Sequence, residues 1–299
     1  MTTGAAANTV IVQISDTHIT AGGDLHDTVD SLDNLAEILT AIEAAGEPPA
    51  LLLFTGDLAD KGEPDAYRRF RTTVEPFAAR MGVPALYVPG NHDERSAFRK
   101  HLLDWEDGDG DLDQVVVVDG LRVVALDSSV PGEPHGELGE DQLAWLAREL
   151  ETPAERGTIL AIHHPPILSP SAFLNTLILR DPERLGEVVA GSDVLMIVAG
   201  HAHHASAGIF AGIPVWVATA SAYQMDVLAA ASTALRGIPG SAFTRIDVTP
   251  AGAVATHVPM LPGERSLYEI DFATIEKMIR GDLTAEEIAH AFAHETVGS

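Results

Sequence analysis

Cysteine is absent from the 299-residue chain. Disulfides and thiolate metal ligands are therefore excluded, and any transition metal must be held by imidazole, carboxylate or amide oxygen. Basic residues are scarce, 18 Lys and Arg against 44 Asp and Glu, for a formal charge of −26. Such a field repels polynucleotides and anionic bilayers, which disfavours a nuclease. Two divalent ions would restore about four of those charges, leaving room for a small anion in a locally positive pocket. The first nine residues carry no basic segment, and the apolar run at residues 10–14 is too short for a signal core or a membrane span. The expected location is the cytoplasm.

What is present is 46% hydrophobic content, enough to bury one large core. Buried strands are expected at residues 10–14, 50–54, 85–88, 158–162 and 194–198, with helices at 30–45, 64–80, 94–103 and 140–150 and another opened by Asp181 as N-cap and Pro182. This alternation is βαβ grammar with a parallel sheet. Hairpins are expected for 115–118 with 121–126 through Asp119-Gly120, for 209–210 with 215–218 through residues 212–214, and for 243–248 with 253–258 through residues 250–252. Residues 106–113 and 229–240 read as loops. Two mixed sheets packed face to face with helices outside accommodate all of these elements. The catalytic domain is expected over residues 1–264. Residues 265–299 form a helical extension, with helices at 271–280 and 284–294, the second opened by a capping box from Thr284 to Glu287.

Five short polar blocks follow apolar, strand-like runs: Asp16-Thr17-His18, Gly56-Asp57, Gly90-Asn91-His92-Asp93, His163-His164 and Gly200-His201-Ala202-His203. Strand ends are where open α/β sheets place their sites. In Asp16-Thr17-His18 the i, i+2 spacing turns a carboxylate and an imidazole to one face, where both can hold one metal. A carboxylate at Asp57, beyond a buried strand, can bridge two cations. Singly, each block has an ordinary explanation as a turn or a helix cap. Five together point to one shared metal site.

The ordered set D-x-H, G-D, G-N-H-D, H and G-H-x-H, from Asp16 to His203, resembles the calcineurin-like metallophosphoesterase superfamily. The segments Ile14-Ser15-Asp16-Thr17-His18, Gly56-Asp57-Leu58-Ala59-Asp60-Lys61-Gly62 and His163-His164-Pro165-Pro166 resemble more narrowly its bacterial class III cyclic nucleotide phosphodiesterases. The resemblance implies a four-layer αββα sandwich, commonly dimeric, holding two ions drawn from iron, manganese and zinc. It implies Asp16, His18 and His203 at the first metal, Asn91, His163 and His201 at the second, and Asp57 bridging them. His92 would act on the leaving oxygen, oriented by the Asp93 carboxylate, and Asn91, His92 and His203 would face the substrate. The implied reaction is hydrolysis of 3′,5′-cAMP to 5′-AMP by a hydroxide activated between the two metals.

Departures from sister families narrow the substrate. Asp60 stands where purple acid phosphatases carry a tyrosine ligand. Lys61 and Asp93 replace the arginine and glutamate of the protein phosphatase motifs D-x-x-D-R-G and G-N-H-E. Lysine lacks the bidentate fork that grips a dianionic monoester, so a diester is expected. A promiscuous diesterase acting on 2′,3′-cyclic nucleotides or glycerophosphodiesters is the alternative, and a non-catalytic scaffold would show missing ligands. His164 and His204 could line the pocket, whereas His26, His101, His135, His257, His290 and His294 read as surface or packing residues.

Overall fold

Every residue of the strand Leu51–Thr55 is buried, yet its side chains go to two different cores. Leu51 and Leu53 join one apolar cluster, Leu52 and Phe54 another. A strand sends successive side chains to opposite faces, so this sheet is covered on both sides. The computed structural model describes residues 8–106, 108, 110–230, 234–261 and 270–291.

In chain order the elements are β1 (Thr9–Ile14), α1 (Ser31–Ala44), β2 (Leu51–Thr55), α2 (Pro64–Met81), β3 (Ala85–Val88), α3 (Arg95–His101), β4 (Gln114–Val118), β5 (Leu121–Leu126), β6 (Ser129–Val130) and β7 (Glu133–Gly136). They continue with α4 (Glu140–Leu150), β8 (Thr158–Ile162), α5 (Pro182–Val189), β9 (Val194–Ala199), β10 (Ser206–Phe210), β11 (Ile213–Val217), β12 (Gln224–Met225), α6 (Val227–Ala230), β13 (Gly237–Ile238), β14 (Ser241–Thr249) and β15 (Gly252–Met260). The chain divides into two units, Met1–Met260 and Leu261–Ser299. The second holds α7 (Phe272–Arg280) and α8 (Ala285–Ala291). In it the capping box forms, with Thr284 N donating to Glu287 Oε2 at 2.7 Å and Glu287 N to Thr284 Oγ1 at 3.2 Å. The domain boundary expected at residues 264–265 and the helical stretch expected at 292–294 lie outside the described residues.

Two mixed sheets form the centre of the first unit, one in the order β15-β14-β1-β2-β3 and the other β10-β11-β9-β8-β5-β4. In the first, β1, β2 and β3 run parallel; in the second, β5, β8, β9 and β11 do. Between the sheets lie Ile11, Leu53, Val88 and Ile246 from one, with Val123, Ile159 and Val198 from the other. The outer face of the first sheet packs on α1, α2 and α3, that of the second on α4 and α5. The expected αββα sandwich is what forms. Amphipathic spacing explains the outer layers: Leu35, Ile38, Leu39 and Ile42 make one buried stripe on α1, and Tyr67, Phe70, Val74 and Phe77 one on α2.

Local differences from the sequence reading have local causes. Asp181 stands before α5 in a left-handed conformation, φ 45°, and its side chain makes no cap hydrogen bond. The hairpin expected to turn through residues 212–214 turns earlier, leaving Pro214 inside β11. Proline is tolerated there because the pairing of β11 with β9 begins at Val215. The pairs β6–β7 and β12–β13 escaped notice because strands of two to four residues have no readable period. No helix among the described residues is long and apolar enough to cross a membrane.

At the amino ends of β5, β8 and β9, opposite the polar blocks, Arg122 fastens three segments. It donates to Asp193 at 2.9 and 3.1 Å, to Thr158 Oγ1 at 2.9 Å and to the Thr152 carbonyl at 3.1 Å. Arg122 is 8% exposed. Removing one partner of such a pair strands the other charge. Arg122→Ala is expected to lower unfolding stability by about 3–5 kcal/mol, read from the urea midpoint; a loss under about 1 kcal/mol would contradict a buried clamp.

Candidate functional site

Strands from both sheets end at one place. Asp16 follows β1, Asp57 follows β2, Asn91 follows β3, His163 follows β8, and His201 and His203 follow β9. Backbone hydrogen bonds tie these ends together, Asp16 N to the Gly56 carbonyl and Gly200 N to the His163 carbonyl, each at 3.0 Å. Five of the polar residues, Asp16, His18, Asp57, His201 and His203, have left-handed backbones with φ between 43° and 70°. That region is costly for residues with a Cβ and clusters at functional sites. Glycines allow the close approach: a Cβ on Gly56, φ +91°, would meet His163 Nδ1, and one on Gly200 would lie 2.7 Å from Asp16 Oδ2.

Two donor sets result, sharing one oxygen. In the first, His18 Nε2 and His203 Nε2 are 3.1 Å apart, and Asp16 Oδ1 is 3.5 Å from His203 Nε2. In the second, Asn91 Oδ1 lies 3.2 Å from His163 Nε2 and 3.0 Å from His201 Nδ1, with the two imidazole nitrogens 3.3 Å apart. Between them, Asp57 Oδ2 is 3.7 Å from His18 Nε2 and 3.3 Å from His163 Nε2. Its other oxygen accepts from His92 N at 2.8 Å.

The outer nitrogens identify the tautomers. His163 Nδ1 sits 2.9 Å from the Thr55 carbonyl and His203 Nδ1 3.1 Å from the Tyr223 carbonyl. A carbonyl can only accept, so both Nδ1 atoms carry protons and the neutral rings aim Nε2 lone pairs inward, the hydrogen bond on the far nitrogen being what orients metal-binding histidines. His18 Nδ1 is 3.4 Å from Asp60 Oδ1. Imidazoles, carboxylates and one amide oxygen converging with no lysine or arginine among the described residues fit two divalent cations, one per set.

The buried charges of the cluster act on one another's protons. Burial pushes the Asp16 carboxyl up to about 6, although His163 opposes it. Burial, the largest influence on Asp57, also acts upward, but His163 and His18 hold that carboxyl well below the usual range. Against the pull of burial, the Asp57 carboxylate lifts His163 to about 9. His201 is pushed down to about 3 by burial and then by His163, and burial and His18 likewise push His203 down.

The orientation expected for His92 is corrected. The Asp93 carboxylate does not contact its ring. It accepts from the backbone N–H groups of Leu58 at 3.1 Å, Ala59 at 3.0 Å and Gly90 at 2.9 Å, and from Tyr67 Oη at 2.9 Å. Asp93 therefore anchors the loop after β3 to the loop after β2 and to α2, and its oxygens are spent doing so. His92 is held by Asp60, whose carbonyl lies 2.7 Å from His92 Nδ1, and its ring meets His18 edge-on at 4.7 Å. Asp60 and Tyr223 are thus the residues whose positioning role the motifs did not reveal. Asp60 stood within a quoted motif and as a departure from another family but was given no role, and Tyr223 acts through its carbonyl, which no side-chain pattern records.

His164 is buried beneath the second set, 4.8 Å from His163 and His201 by ring centroids, with Nδ1 2.9 Å from Ser128 Oγ. His204 lies 3.0 Å from Ser169 Oγ. His135 is buried against Glu137.

Residues 9–205 match the calcineurin-like phosphoesterase family. Over 258 residues, 85% of this chain and 80% of the relative, the sequence is 48% identical to a cAMP/cGMP dual specificity phosphodiesterase of Mycobacterium tuberculosis. It is 31% identical over 221 residues to a probable glycerophosphodiester phosphodiesterase of Arcobacter nitrofigilis, covering 72% of this chain and 80% of that one. A dimetal phosphatase from Danio rerio shares the fold, with a TM-score of 0.59 at 15% identity over 84% of this chain and 98% of its own.

The proton held by His163 gives metal uptake a pH dependence. At pH 7 a group titrating at about 9 is protonated, and a cation must displace that proton. Affinity of metal-stripped protein for zinc should therefore rise by about tenfold per pH unit between pH 7 and 9, and fall further below about 6 as Asp16 protonates. Zinc titrations across this range showing a flat affinity would contradict the charge arrangement.

Proposed function

The chain belongs to the calcineurin-like phosphoesterase family, and on that premise we propose that it is a metal-dependent phosphodiesterase hydrolysing 3′,5′-cyclic nucleotides to 5′-monophosphates. The observation that carries this reading is the single oxygen, Asp57 Oδ2, lying between two complete donor sets. Asp16, His18 and His203 would hold one ion, Asn91, His163 and His201 the other, and Asp57 both. When bound, the ions supply Lewis acidity, lowering the pKa of a water and neutralising phosphate oxygens. A donor set of nitrogen and oxygen alone suits zinc, manganese or iron. The resemblance further implies a homodimer, and the cytoplasm is the location proposed.

The chain's own residues supply orientation and the proton. Asn91 and His92 face the same space. The Asp60 carbonyl fixes the proton on His92 Nδ1, so a second proton on Nε2 is the one available to a departing alkoxide. The relative named for cAMP and cGMP supports cyclic nucleotides as substrates. The relative named for a glycerophosphodiester supports a second reading, hydrolysis of open-chain diesters by the same centre. One constellation serves both because the metal chemistry does not depend on the alcohol.

Turnover compared on 3′,5′-cAMP, 2′,3′-cAMP, a glycerophosphodiester and nitrophenyl phosphate tests the reading. The kcat/KM for 3′,5′-cAMP should exceed that for the monoester; the reverse order would overturn it, and a glycerophosphodiester leading the series would favour the second reading.

His92→Ala should retain both metals while kcat falls by ~10²–10⁴-fold, the worth of a positioned acid–base group. Activated leaving groups should suffer less. Loss of a metal from this variant, or an equal loss on all leaving groups, would contradict the assigned role.

A further inference from the structure

Beside the two donor sets opens a cleft of about 430 Å³, within the range of ~300–1,000 Å³ usual for small-molecule sites. Its inner end is Asn91 and His92. One wall is Arg95 and Ser96 at the start of α3, and the other is Val130 and Pro131 at the turn between β6 and β7. We propose that this cleft receives the uncharged organic part of the ester, the nucleoside of a cyclic nucleotide, and that its charge balance limits the substrate to a single phosphate. The proposal rests on the phosphodiesterase reading.

Position gives the first argument. A phosphate held by the donor sets lies against Asn91 and His92, so a bulky alcohol attached to it has this adjoining space to enter. Charge gives the second. The Arg95 guanidinium faces Asp111 at 3.1 Å and Asp127 at 3.0 Å, so one cation meets two carboxylates, and Glu94 adds another anion to the same wall. A second phosphate in the cleft would meet net negative charge in a chain already at −26. A neutral base and ribose meet the apolar faces of Val130 and Pro131 and polar groups such as Ser96, the mixture that small-molecule sites show.

The walls are also fixed in advance. Arg95 Nη2 donates to the Ser129 carbonyl at 2.9 Å, joining α3 to the β6–β7 turn. Asp127 accepts from Ser129 N at 2.9 Å and also from its hydroxyl. On the opposite side Glu94 accepts from Ser96 N at 3.2 Å and Ala97 N at 2.7 Å. A preformed cleft does not lose binding energy to ordering its own walls.

Inhibition by inorganic phosphate and by 5′-AMP separates the metal centre from the cleft, because phosphate engages only the former. Val130→Trp and Ser96→Trp fill the cleft from two independent elements. Each is expected to raise the inhibition constant of 5′-AMP by at least about tenfold while that of phosphate changes by less than about twofold. In the wild type, kcat/KM for cyclic di-AMP should fall at least about a hundredfold below that for 3′,5′-cAMP. Unchanged 5′-AMP inhibition in both variants, or parallel changes for both inhibitors, would overturn the subsite. Comparable turnover of cyclic di-AMP would overturn the single-phosphate limit. A wild-type enzyme that cleaves no diester and is not inhibited by phosphate would overturn the underlying reading and the proposal with it.

Discussion

A carboxylate buried between two sets of imidazoles, with no arginine or lysine against it among the described residues, is the constraint on which the rest of the site depends. Asp57 is 2% exposed. Placing an anion there is costly unless positive charge arrives, and within the protein the nearest sources are His163 and His18. Protons on those rings are a makeshift solution, because the same nitrogens carry the lone pairs that converge on Asp57 Oδ2. Cations resolve the conflict on both sides at once, by neutralising the carboxylate and returning the imidazoles to their neutral form. The geometry and the electrostatics thus both suit cations held at these donors.

Holding those donors in place needs a backbone that regular structure cannot provide. Parallel strands from two sheets deliver their carboxyl ends to one edge, but a strand end alone aims one side chain in two at the centre. Left-handed residues at Asp16, His18, Asp57, His201 and His203 re-aim the chain just beyond the strands. Their cost is met by the hydrogen bonds that cross between loops: Asp16 accepts from His201 N at 3.0 Å, His18 N donates to the Asp57 carbonyl at 2.9 Å, and Asp93 accepts from three backbone N–H groups. Strain and its compensation lie in the same few residues.

This arrangement explains what could be read in the sequence. Buried strands of β-branched and leucine residues and the amphipathic stripes of α1 and α2 are periodic, so α4 and β8 were expected at the residues where they occur. The polar blocks were recognisable because five strand-end clusters of metal-binding residue types are improbable together. The structure brings Asp16, His18, Asp57, Asn91, His163, His201 and His203 within reach of one another. Hidden were the partners that act through backbone atoms. Tyr223 and Thr55 offer carbonyls, and Asp60 holds His92 through one, so their residue types carried no message. Asp93 misled for another reason: the resemblance implied that its carboxylate orients His92, whereas the turn sends that carboxylate to the Leu58, Ala59 and Gly90 amides.

The segment from Gly90 to Ser96 shows how closely these parts are joined. Asn91 contributes to one donor set, His92 meets His18 of the other edge-on, Asp93 fastens the loop to α2, and Arg95 holds the far wall of the cleft through Ser129 and Asp127. On the proposed reading, metal, proton donor and organic subsite would be registered against one another by seven consecutive residues. Because Asp93 fixes that segment against the Leu58 and Ala59 amides, the distance from cleft to metal is set by the same loop that presents Asp57. An alcohol of the wrong length cannot be accommodated by moving one part without displacing the others. Discrimination among diesters would then arise from the rigidity of this segment together with the shape and charge of the Val130 wall, while the chemistry at phosphorus stays common to all of them.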